Sequence, residues 1–139
     1  MSRTDGKVSR LSLAEWGLVI ETCATLPLVS IGLAALGWRR LKAILSRPAK
    51  AEKPLGEFER QAARITNAVG WRMPIPATCL QRSVTLWWTL GRRRIDSRVV
   101  MGVRKDKTDF HAHAWVEVSG IVINDRADLR QIFTVFDEV

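Results

Sequence analysis

Four side chains have the types and spacing for nucleophilic catalysis: Cys79, His111, His113 and Asp125. Cys79 follows Thr78, a residue that caps helices, and it precedes the apolar-periodic stretch Leu80–Gly91. The thiol is therefore expected in the first turn of a helix, where free N–H groups and the helix dipole favour a thiolate. Arg82, three residues on, adds positive charge. The competing reading is a small buried hydrophobe, which fits Cys23 inside an uncharged run. His111 and His113 are the only imidazoles. In FHAHAWVEV (110–118) strand alternation sets both on one face with Trp115 and Glu117, and puts Phe110, Ala112, Ala114, Val116 and Val118 on the other. A nucleophilic thiol needs a base within hydrogen-bond reach, and the base needs a third group to orient it. Asp125 suits that part. Ser119-Gly120 supplies a tight turn, Ile121–Ile123 returns as a strand, and Asp125 comes back within one residue of register with His113, a gap that a bulge closes. Spacing alone does not choose between the two histidines. Zinc would need three or four ligands at metal spacing, and H-x-H with a remote Cys and Asp is a weak match, so no metal or cofactor is expected.

These residues need elements to hold them. Ser12 and Glu15 form an S-x-x-E capping pattern, followed by the helical period of Leu13, Trp16 and Ile20. Pro27 is expected to end that helix, and a second to run from about Val29 to Leu45. Ser46–Gly56, with two prolines and a glycine, reads as a linker. Phe58, Ala62, Ile65 and Val69 mark an amphipathic helix with Gly70 just past its end. Pro74 and Pro76 then stiffen the approach to Thr78. Beyond Gly91 the period changes to that of strands, first at Ser97–Val103. Helices followed by an antiparallel meander make an α+β domain.

With 139 residues, 47% of them hydrophobic, the chain is long enough for one packed domain. Two cysteines exclude a disulfide framework. The net charge of +8 is concentrated before Arg92, and it implies an anionic partner or surface. Arg92-Arg93-Arg94 sits at a helix C-terminus, which favours cations, so the run reads as a solvated helix end and no nucleic-acid partner is expected. No secretory signal is legible, and a cytoplasmic location is expected. The uncharged run Thr22–Trp38 lies at the short edge of the spanning range. It holds Pro27, Gly32 and Gly37, with Arg39, Arg40 and Lys42 next to it. A buried helix or helix pair is the favoured reading, and membrane association the less favoured one.

The strings CLQRSVTLWWTLGRRRID (79–96), VMGVRK (100–105), FHAHAWVEV (110–118) and GIVIND (120–125) together resemble the lasso-peptide leader peptidases, the transglutaminase-like half of the split B protein of lasso-peptide biosynthesis. The resemblance implies a papain- or transglutaminase-like fold, with Cys79 as nucleophile, His113 as base and Asp125 as orienting acid. It implies cysteine proteolysis that removes the leader from a ribosomally made precursor. It also implies partners: the precursor peptide, a separate leader-recognition protein, and a cyclase of the asparagine-synthetase type. His111 and Trp115, on the face of His113, are candidate substrate contacts. On this reading residues 1–45 form a helical region packing on the core or on a partner, 46–56 a linker, and 57–139 the peptidase core. A transglutaminase-type acyl transferase and a non-catalytic peptide-binding scaffold are the alternatives, since the same triad serves either acceptor and a fold can outlive its activity.

Overall fold

A computed structural model describes residues 12–46, 56–74 and 77–138. Residues 1–10, most of the linker and Pro76 lie outside the described residues.

Helix α1 spans Leu13–Leu45, α2 Glu57–Arg72 and α3 Cys79–Arg92. The capping box at Ser12 closes as the sequence predicts: Glu15 N–H donates to Ser12 Oγ at 3.2 Å and Ser12 N–H to Glu15 Oε1 at 3.0 Å. The expected break at Pro27 does not occur. The helix runs through the proline, and the kink falls at Gly37, whose φ of +79° only glycine adopts without strain. A helix-interior proline costs about 3 kcal/mol. Here it is flanked by Leu26 and Val29, both fully buried, and core burial of that kind offsets the loss. Gly70 is a second correction. It lies inside α2, not past its end, because the Arg82 side chain crosses there: a Cβ on Gly70 would come within 2.6 Å of Arg82 Cδ.

Strands β1 (Arg98–Asp106), β2 (Asp109–Val118) and β3 (Ile121–Val122) form the expected antiparallel meander. Positive φ at both Ser119 and Gly120 makes the two-residue turn, and Glu117 pairs with Val122, in the register the sequence predicts. A short helix α4 (Leu129–Ile132) and strand β4 (Thr134–Glu138) complete the chain, giving the sheet order β3-β2-β1-β4. The fold is α+β. One face of the sheet packs Val99, Met101, Ala114, Val116 and Val118 against helix residues that include Leu18, Val29, Val84 and Leu86. The other face holds Val100 and Trp115 under Leu129 and Phe133.

Candidate active site

Thr78 caps α3 through both arms of a second capping box. Gln81 N–H donates to Thr78 Oγ1 at 3.1 Å, and Thr78 N–H to Gln81 Oε1 at 2.9 Å. Cys79 is thus the first residue of the helix, half-buried against the core. Across from it, β2 presents His113 from a register position opposite Gly102. The Cys79 thiol and the His113 imidazole lie close enough that each shifts the titration of the other. His113 Nε2 lies 2.7 Å from Asp125 Oδ2, which leaves Nδ1 for the sulfur. Burial works against a Cys79 thiolate, but the His113 hydrogen bond, the Ala114 backbone and the charges of His113 and Arg82 outweigh it and hold the thiol below its ordinary value. His113 is raised by its hydrogen bond to Cys79, against burial, and then by Asp125. Both shifts favour a thiolate–imidazolium pair.

The one-residue gap at Asp125 closes by a device the sequence did not reveal. After Ile123 N–H bonds Val116 C=O at 3.1 Å, the ladder stops. The next position is taken by a side chain: Asn124 Oδ1 accepts Val116 N–H at 2.9 Å. Asn124 Nδ2 donates to Ser83 Oγ at 3.1 Å, and Ser83 Oγ donates to Ala114 C=O at 3.2 Å. Asn67 Nδ2, from α2, donates to the Asn124 carbonyl at 3.0 Å. This network ties α2, α3 and β2 to the backbone immediately before Asp125. The Asp125 carboxylate is then fixed at both oxygens, since Oδ1 accepts Arg126 N–H at 2.7 Å. Asn124 reads in sequence as a turn residue, and only its partners give it a positioning part.

Arg82 sits one turn from Cys79. Its guanidinium lies 4.6 Å from the centre of the Trp71 ring, and Nη1 donates to Ala77 C=O at 3.0 Å. The cation is thereby held against the loop that delivers the thiol. Phe133 stacks on His113 with centroids 5.4 Å apart, and Arg104 lies 5.4 Å from the Phe133 ring on its own contact. Neither stood out in the sequence.

The two candidate substrate contacts separate. His111 is exposed, two residues along β2 and paired with Arg104 in the ladder. Trp115 is corrected: it is fully buried, and its indole donates to Glu117 Oε2 at 2.9 Å beneath Phe133. A side chain without exposed surface cannot touch substrate, and Trp115 serves as the floor on which the His113 side of the sheet rests.

The arrangement can attack a carbonyl through sulfur and shuttle one proton through imidazole. Among the described residues no cluster of three or more metal-ligating side chains occurs. The transglutaminase-like superfamily matches residues 24–137. The microcin J25-processing protein McjB of Escherichia coli is 43% identical over 61 residues, which cover 44% of this chain and 28% of that protein. No solved structure matches.

Proposed function

Because the chain belongs to the transglutaminase-like superfamily, we propose that it is a cysteine peptidase that removes the leader from a lasso-peptide precursor. The observation that carries this reading is the continuous chain of contacts from Cys79 through His113 to Asp125. The similarity to a microcin-processing protein supplies the substrate class, and the sequence resemblance supplies the partners: a separate leader-recognition protein and an asparagine-synthetase-type cyclase. The enzyme acts in the cytoplasm, where both free cysteines stay reduced.

In this reaction the Cys79 thiolate attacks the scissile carbonyl carbon. The oxygen gains negative charge, which the Cys79 backbone N–H at the start of α3 can stabilise, because it has no intrahelical acceptor and the Thr78 cap takes the Gln81 N–H instead. Imidazolium His113 gives its proton to the departing amine, which becomes the N-terminus of the core peptide. The leader remains as a thioester on Cys79. Water then loses a proton to His113, attacks the thioester, and releases leader acid and the thiolate. Asp125 holds the imidazole in one tautomer throughout.

The same groups would pass the acyl unit to an amine if one were bound instead of water. Cleavage in heavy-oxygen water, with precursor and recognition protein supplied, separates the outcomes. Hydrolysis puts one heavy oxygen into the new leader carboxylate. A leader joined to an added amine, with no labelled acid, would make the protein an acyl transferase.

A further inference from the structure

The peptidase reading does not use the longest element of the fold. Helix α1 turns Leu18, Thr22, Thr25, Leu26 and Val29 into the protein. Its opposite side is exposed at Trp16, Ile20, Cys23, Ala24, Leu28 and Ile31, and the exposed surface continues through Ala34, Ala35 and Leu36. At 1.5 Å per residue, Trp16 to Leu36 is about 30 Å of helix. No charged side chain faces outward along it. The one charge in that interval, Glu21, is turned to a flank and bound by Arg92 and Arg93. The helix is long and apolar enough to cross a membrane, yet its inward side packs on α2 and α3, so it lies along the body.

The edges of this strip are basic. Glu15 and Glu21 are six residues apart and fall on opposite flanks. Glu15 is paired with Arg64, while Arg64 and Arg72 line an apolar groove beside Trp16 and Val19. Glu21 draws Arg92 and Arg93 to the other flank. Arg39 and Arg40 are exposed beyond the kink. Between Ile20 and Leu36 the strip offers no side-chain hydrogen-bonding group except the Cys23 thiol and, at its margin, the part-buried Ser30 hydroxyl, whose proton is already given to Leu26 C=O at 2.9 Å. A protein partner of this area would ordinarily engage several hydrogen bonds. A lipid surface needs none, and anionic headgroups complement the arginine fringe.

We infer that the outer face of α1 docks this protein on an anionic bilayer surface, with the helix parallel to the membrane and the arginines at the headgroups. The inference stands apart from the peptidase reading, because it uses none of Cys79, His113 or Asp125.

Flotation of the purified full chain with vesicles tests it. The chain should float with phosphatidylcholine vesicles that contain phosphatidylglycerol, and much less with phosphatidylcholine alone. The double variant Leu28→Glu/Ile31→Glu places charge at positions 58% and 65% exposed, so the fold tolerates it. It should lower the bound fraction about tenfold or more. Arg39→Glu/Arg40→Glu should weaken binding by a similar factor and reduce its sensitivity to salt. Failure of the wild-type chain to float overturns the inference. So does equal binding to both vesicle types. Self-association in vesicle-free solution that the Leu28/Ile31 variant abolishes, without flotation of the wild type, would assign the face to a second copy instead.

Discussion

His111 and His113 are identical in type and share a strand face, yet only one meets both a thiol and a carboxylate. His113→Ala should lower leader cleavage about 100-fold or more, the usual loss of a general base, whereas His111→Ala should keep at least about a tenth of it. Equal losses, measured as initial rates on the same precursor, would contradict the assignment. Arg82 permits a finer test. Its charge favours the thiolate while its stacking on Trp71 positions it. Arg82→Met should slow alkylation of Cys79 about threefold to tenfold near neutral pH and move the alkylation profile upward, and Arg82→Lys should restore part of it. A profile that does not move would leave Arg82 a purely structural group. Cys79, His113 and Asp125 were legible because residue type, strand alternation and turn register each constrain them separately. The resemblance chose His113 where spacing could not. Trp115 misled because alternation gives the face of a side chain but not what covers that face, and here Phe133 and Leu129 do.

Beside their apolar packing, α1 and the end of α3 are joined through one carboxylate. Glu21 is brought from an ordinary value of 4.5 to about 2 by its hydrogen bond to Arg93, against burial, with Arg92 adding to it. A carboxyl whose folded-state value is depressed stabilises the fold above its unfolded value, and that contribution is lost as pH falls. The thermal unfolding midpoint should therefore drop between pH 4.5 and 2. Glu21→Gln should start lower at neutral pH and show a shallower decline over that window, and an unchanged slope would contradict the pairing. The caps at Ser12 and Thr78 could be read from sequence because capping is a local property of four residues. The course of α1 through Pro27 could not. Whether a proline breaks a helix depends on the burial of its neighbours, here Leu26 and Val29, which is set by tertiary contacts. Strand β4 was equally hidden. Phe136 faces outward, 61% exposed, while Asp137 turns inward to accept the Trp38 indole N–H at 3.0 Å. Val135 still packs toward Val100 and Trp115, and the register shift opposite Met101 and Gly102 breaks the alternation that would mark a half-buried strand in sequence.

The described residues form one α+β body in which α1, α2 and α3 cover one face of a four-stranded sheet and the candidate triad forms where the start of α3 meets β2. The fold class followed from the change of period after Gly91. The positive charge, which in sequence implies an anionic partner or surface, falls partly along the margins of α1 in the folded chain. The proposed function rests on Cys79 as the nucleophile that cuts the precursor. Its most direct test is mass spectrometry of precursor incubated with recognition protein and either the wild-type chain or Cys79→Ala. The account predicts free leader and free core with the wild type and intact precursor with the variant, whose unfolding midpoint stays close to that of the wild type. Undiminished cleavage by the folded Cys79→Ala protein would contradict it.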